Sequence, residues 1–161
     1  MFFRGIAAAI FILILDQASK FSILRVFDGR KTPIEVTGFF SLQSVWNPGI
    51  SFGMFNSIPH GQWVFSALAF VVVLLLFSWM KKATSAFLTY ALAFVIGGAL
   101  GNMIDRLLYG AVVDFLDFHL GKYHWPAFNI ADSAIFVGVV MLLLDGMFFS
   151  VPEKKEEKSV E

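Results

Sequence analysis

The sequence predicts an α-helical membrane protein: four transmembrane helices with a small β-containing extracytoplasmic platform between helices 1 and 2. Hydrophobic residues make up 58% of the chain and its mean hydropathy is strongly positive, both above what a soluble globular domain carries. Four apolar runs, at 2–23, 62–80, 84–104 and 130–151, each match the roughly 20 helical residues that a hydrocarbon core requires. The segment 25–61 is too long for a plain turn. Within it Phe40, Leu42 and Trp46 fall on one side of a period-two pattern, which predicts short strands.

The first run has Arg4 ahead of an apolar stretch, as a signal peptide does. Asp16-Gln17-Ala18-Ser19-Lys20 stands where a small-x-small cleavage site would be needed, and the apolar pattern resumes after it, so the first helix is expected to be retained. In the second run only Ser66 and Ser78 interrupt the stretch from Trp63 to Met80. The third carries Gly97, Gly98 and Gly101, a small-xxx-small pattern that predicts close helix packing. The tail Glu153-Lys154-Lys155-Glu156-Glu157-Lys158 is a solvated charge run. The expected organisation is one four-span domain at 1–152 and a charged cytoplasmic tail at 153–161.

Composition excludes several chemistries. The chain has no cysteine, which rules out disulfides, Cys-ligated zinc, iron–sulfur clusters and thiol nucleophiles. Net formal charge is zero and no basic stripe with interleaved aromatics is present, which argues against nucleic acid as a partner. His60, His119 and His124 lack the two-His, one-carboxylate spacing of a zinc peptidase helix. No metal or cofactor is expected, and the protein is expected to be a monomer.

Four spans place both termini on one side. The ends of helices 1 and 3 then share the opposite side with the starts of helices 2 and 4. This parity gathers Asp16, Lys20, Asn47, Asn102, Asp105, Arg106, Asp114, Asn129 and Asp132 at one membrane face. Arg4, Lys81, Lys82 and the tail lysines sit on the terminal side, which the positive-inside rule makes cytoplasmic, so the polar group faces outward. Asp145 lies 13 residues beyond Asp132, roughly 20 Å along a helix, and belongs near the other end.

Asp114 and Asp132 flank the polar stretch between the last two runs. Carboxylates beside hydrocarbon cost several kcal/mol unless paired, protonated or wetted. Two carboxyls sharing a proton can hydrolyse a peptide without metal or thiol, the ionised one taking a proton from water and the neutral one donating to the scissile carbonyl. Simpler roles compete with this one. Asp132 near a helix start is equally a cap, Asp114 beside a strand-like Val-Val-Asp-Phe is more readily a loop residue than a catalyst on local sequence alone, and Asp117 is a nearby decoy. Asp16 and Lys20 share a helix face at i, i+4 and pair as structural anchors, with lipid headgroups or a substrate as a second partner for the lysine. Asn102 and Arg106 have the same spacing, and either hold a substrate backbone or form a structural network with Asp105. Asn47-Pro48-Gly49 is a turn signal.

In this order these residues make the chain resemble the lipoprotein signal peptidase, or signal peptidase II, family of bacterial inner membranes. Asp16-Gln17-Ala18-Ser19-Lys20 resembles the family's D-Q-x-x-K. Asn47-Pro48-Gly49-Ile50-Ser51-Phe52-Gly53 resembles N-x-G-x-A-F-G, with Ser51 where alanine is usual. Gly97 to Arg106 resembles G-G-A-x-G-N-x-x-D-R, and is followed by Gly110 and Val113-Asp114-Phe115. Phe128-Asn129-Ile130-Ala131-Asp132 resembles F-N-x-A-D. The resemblance implies an aspartic endopeptidase with Asp114 and Asp132 as its dyad. Its substrate would be a diacylglyceryl prolipoprotein, cut before the lipidated cysteine. Asn47, Asn102, Arg106 and Asn129 would line or brace the pocket. Asp16, Lys20, Gly101 and Asp105 would support structure or contact membrane lipid, and the cyclic peptide globomycin would bind as an inhibitor.

A small membrane transporter or proton relay is the alternative class, with the interfacial aspartates, Lys20 and Arg106 as its path. It is poorly furnished, because apart from Asp145 no charged residue sits mid-span. A purely structural subunit leaves the crowding of polar groups at one face unexplained. An intramembrane serine protease would need a base that Ser19-Lys20 and Ser133 do not supply.

Overall fold

The computed structural model describes residues 1–49 and 60–148. Its helices are α1 (Phe2–Val26), α2 (Gly61–Lys82), α3 (Ala86–Tyr109) and α4 (Ile130–Phe148), and its strands are β1 (Ile34–Thr37), β2 (Phe40–Asn47), β3 (Val112–Leu120) and β4 (Tyr123–His124). All four helices are long and apolar enough to cross a membrane. The expected four-span architecture with a small sheet is therefore the observed one. Residues 50–59, which include Ser51, and the tail at 153–161 lie outside the described residues.

Helix α3 is the spine. In its most apolar window 56% of residues are buried, against 22% in each of the other three, and it packs on α1, α2 and α4. The glycines of the third run explain how. A Cβ on Gly97 would lie 2.6 Å from the Ala9 carbonyl oxygen of α1, and one on Gly98 would collide with the Ala131 carbonyl of α4. Two backbones thus meet α3 along adjacent residues, where only a missing side chain permits the approach. Away from α3 the helices bear apolar side chains outward, such as Phe3, Leu75 and Phe136, at 83%, 65% and 70% exposure, as lipid-facing surfaces require. Ser85 caps the start of α3 by accepting from the Leu88 N–H at 3.0 Å. Its end is a glycine, Gly110, at φ 78°, the left-handed conformation that favours this residue.

The structure differs from expectation in three ways. Its order is β1-β2-β3-β4, all antiparallel, so the platform is not confined to the connection between the first two helices. The segment joining α3 to α4 supplies half its strands. Helices α1 and α3 run to Val26 and Tyr109, past the expected ends at 23 and 104, which keeps Asn102, Asp105 and Arg106 on the helix. The third difference is a bulge. Leu42 pairs with Leu116, but Val45 pairs with Asp114 and Asn47 with Val112, so one extra residue enters β2 between them. Beyond such a bulge the alternation of faces inverts. Trp46 therefore leaves the face of Phe40 and Leu42 and packs edge-on against Tyr109, with ring centroids 5.4 Å apart. Asn47 takes its place on the face of Asp114. The sheet is seated on the end of α1 through Ile23, Phe27 and Phe115.

Packing at the spine predicts a graded response. Gly98→Leu places a side chain against the Ala131 carbonyl and should lower the thermal unfolding midpoint in detergent sharply. Gly146→Ala, which meets nothing within 4 Å, should leave it unchanged or raise stability by about 0.5–1 kcal/mol through helix propensity. Equal effects would contradict the packing account.

Candidate active site

Three buried charges organise the polar end of the bundle. Lys20 of α1 is 2% exposed, with Asp16 and Asp105 at 0% and 1%. Its ammonium lies 2.8 Å from Asp16 Oδ2 and 2.8 Å from Asp105 Oδ2, and donates to Asn102 Oδ1 at 3.0 Å. All three of its N–H donors are engaged, and none faces lipid. Gly101 makes room, since a Cβ there would strike Asp16 Oδ2.

Each carboxylate then uses its remaining capacity to hold a backbone. Asp16 Oδ1 accepts the Ala131 N–H at 2.9 Å, at the start of α4. Asp105 Oδ2 accepts the Val113 N–H at 3.1 Å, in β3. Asp132 and Asp114 are the next residues after these two anchors. Gln17, for which the sequence alone suggests no separate role, bridges the same group by donating to Asp105 Oδ1 at 3.0 Å and to the Gly101 carbonyl at 3.2 Å. Its signals in the sequence are its place in the D-Q-x-x-K pattern and a polar side chain between Asp16 and Lys20.

Asp132 and Asp114 are joined through two asparagines. Asn129 Nδ2 donates to Asp114 Oδ1 at 2.7 Å and to Asn102 Oδ1 at 3.2 Å. Asn102 Nδ2 donates to Asp132 Oδ1 at 2.7 Å. The second oxygen of each aspartate is also held: Asp114 Oδ2 by Asn47 Nδ2 at 3.0 Å, Asp132 Oδ2 by the Asn129 N–H at 3.2 Å. Asn129 Oδ1 returns the last bond by accepting from the Asp132 N–H at 2.9 Å, which is a reciprocal capping box at the start of α4. The capping role of Asp132 is thus true of its geometry, and the same carboxyl also faces a cavity. Asn47 is fixed by its own turn, its Oδ1 accepting from the Gly49 N–H at 3.1 Å.

The cavity holds about 720 Å³ and is lined by Asn47, Asn102, Arg106, Asp114 and Asp132 at its polar end, and by Ala69, Ala99, Phe136 and Val139 along the helices. It extends from the sheet down to Ala69 of α2 and Phe136 and Val139 of α4, two helices that share no extensive contact among the described residues. Arg106 donates to the Gly49 carbonyl at 3.0 Å and to the Asn102 carbonyl at 3.3 Å, and its buried Nε–H has no partner among the described residues. Burial, followed by the charge of Asp132, pushes the Asp114 carboxyl up to about 7, against the hydrogen bonds from Asn47 and Asn129. The other acidic residues stand elsewhere. Asp117 is on the opposite face of β3 and holds His124 Nδ1 at 2.9 Å, and Asp145 is buried near the far end of α4.

Two outcomes follow from this geometry. Lys20→Met leaves two buried carboxylates uncompensated and should cost about 3–5 kcal/mol, read as a large fall in the unfolding midpoint; a midpoint unchanged at neutral pH would remove the network from its organising role. The folded state keeps the Asp114 proton up to about pH 7, whereas the unfolded chain releases it near 3.8. The resulting stabilisation is complete below the lower value and is lost as pH rises through the upper one. Asp114→Asn should therefore flatten the decline of the unfolding midpoint across that window.

Comparison with known proteins agrees with the motifs. Residues 8–148 match the family model described as Signal peptidase (SPase) II. The lipoprotein signal peptidase of Alteromonas mediterranea is 43% identical over 99% of this chain and 87% of its own length. That of Rhodopseudomonas palustris is 49% identical over 89% and 91%, and that of Nitrobacter hamburgensis 47% over 94% and 95%. Two solved structures, each described as a bacterial membrane enzyme obtained by the in meso method, share the fold. One has a TM-score of 0.77 at 32% identity, covering 98% of this chain and 94% of its own. The other has a TM-score of 0.78 at 30% identity, covering 92% and 94%. A buried carboxyl pair at the head of an apolar cavity, four spans and these relatives agree: the chain belongs to the signal peptidase II family and is a membrane peptidase of the aspartic type.

Proposed function

We propose that this chain removes the signal peptide of diacylglyceryl-modified prolipoproteins, cutting before the lipidated cysteine, with Asp114 and Asp132 as the dyad that activates water. The observation that carries the proposal is the hydrogen-bonded series Asp114, Asn129, Asn102, Asp132 at the polar end of an apolar cavity. Two carboxyls that feel each other's charge do not both ionise easily, so near neutral pH the pair retains one proton, which belongs to both. The ionised carboxylate takes a proton from water as the water oxygen attacks the scissile carbonyl, and the neutral carboxyl protonates the carbonyl oxygen. Collapse breaks the C–N bond: the dyad proton passes to the departing cysteine nitrogen while one hydroxyl of the tetrahedral diol returns its proton to the other carboxylate, which restores the singly protonated pair. Asn47, Asn102 and Asn129 orient the carboxyls, and the Arg106 Nε–H is available to meet a substrate or globomycin carbonyl.

The substrate's lipid sets where this must happen. Each buried CH₂ contributes about 0.8 kcal/mol to membrane anchoring, so a diacylated cysteine stays at the headgroup level and the scissile bond must be met there. Ala69, Ala99, Phe136 and Val139 offer an apolar wall to the chain below it. Asp16, Lys20, Gly101 and Asp105 serve as scaffold. Arg4, Lys81 and Lys82 lie at the opposite ends of their helices from the dyad, a distribution that supports cytoplasmic termini and aspartates at the outer face of the bacterial inner membrane.

Asp114→Asn and Asp132→Asn should each reduce cleavage of a purified diacylglyceryl prolipoprotein by about a thousandfold or more, within the range for loss of a general acid or base and its partner. Both variants should still fold. Asp117→Asn should retain the rate per folded molecule, and EDTA should leave it unchanged. Wild-type turnover in either dyad variant would end the assignment, and ion flux through purified protein in liposomes would favour a transporter.

A further inference from the structure

The turn between β3 and β4 ends in a largely exposed apolar tip. Leu120, Tyr123 and Trp125 are 80%, 74% and 60% exposed. Leu120 pairs with Tyr123 across a tight turn in which Gly121 takes φ 58°, the conformation a two-residue hairpin loop asks of glycine. Phe39 and Phe118 stand beside them around an open bowl of about 470 Å³. A contiguous apolar surface of this kind marks a protein or membrane contact.

We propose that the β3–β4 tip seats in the headgroup region of the bilayer, on the membrane side where Asp114 and Asp132 lie, so that its partner is phospholipid. Its chemistry is that of an interfacial anchor: Tyr and Trp rings with a polar edge, and a lysine, Lys122, whose ammonium sits 5.6 Å from the Tyr123 ring centre on a stem long enough to reach phosphate. Its surface is also continuous with the span. Trp125 lines the same cavity as Phe136 and Val139 of α4, so residues beside the hairpin and residues of the span contribute to one cavity lining.

The tip is braced rather than loose. Ser41 Oγ lies 3.1 Å from His119 Nε2, the His119 and His124 rings stack at 4.9 Å, and buried Asp117 holds His124. A rigid hairpin seated at that level keeps the outer wall of the cavity against lipid. This placement stands apart from the peptidase assignment.

The chain has no cysteine, so Leu120→Cys carries a single nitroxide at the tip. In phosphatidylcholine–phosphatidylglycerol vesicles, power-saturation EPR should give severalfold more collisions with oxygen than with a water-soluble nickel chelate. A predominance of nickel collisions would overturn the proposal and leave the tip to a protein partner. In vesicles, Leu120→Asp combined with Tyr123→Asp should raise KM for a lipidated substrate severalfold with kcat unchanged, in a protein whose unfolding midpoint is retained; an unaltered KM would also count against it. The EPR measurement contains no activity, so failure of the peptidase assignment would leave the collision ratio, and what it says of the tip, unaffected.

Discussion

Lys20 is the constraint on which the polar end of this molecule depends. Its ammonium, buried among Asp16, Asp105 and Asn102, joins α1 to α3, and through the two carboxylates it also fixes α4 and β3. A buried ion pair gains little over a well-packed apolar substitute, so its value here is geometric. Asp16 holds the Ala131 N–H and Asp105 holds the Val113 N–H, each one residue before an aspartate of the cavity. The positions of two acidic side chains from separate elements are thus set by one cation on a third.

Economy marks the next layer. Asn129 caps α4, orients Asp114 and bonds Asn102, while Asp132 completes the cap with one oxygen and meets Asn102 with the other. The carboxyl pair therefore sits on a helix start and a central strand, with each carboxyl oxygen accepting a hydrogen bond from a described residue. Burial and mutual charge oppose ionisation of Asp114, and the asparagine donors favour it. That balance puts Asp114 in the neutral range.

The architecture was legible where hydropathy and parity act alone. Four apolar runs give four spans, and an even number of crossings brings Asp16, Asn47, Asn102, Asp114 and Asp132 to one face. The ordered motifs then identify the family. What escaped was governed by pairing. Residues that enter a bulge look like any others in the chain, so alternation kept Trp46 with Leu42, whereas the register moved Asn47 onto the Asp114 face. The share of the sheet supplied by the α3–α4 connection was hidden for the same reason, because partners distant in sequence decide it. The motif includes Gln17, but its bonds to Gly101 and Asp105 escaped because they form only when the third helix arrives.

The separation of α2 from α4 around their common spine has a geometric consequence. On the proposed activity, a guest helix lying in that gap must cross the same hydrocarbon thickness as its hosts, and mismatch is relieved by tilt, kinking or a local change in bilayer thickness. The height at which the guest emerges, and hence which peptide bond comes level with the two acids, is then measured off by the lipid. On that activity the bilayer would act as the ruler for the cut, and the protein would fix where the blade stands.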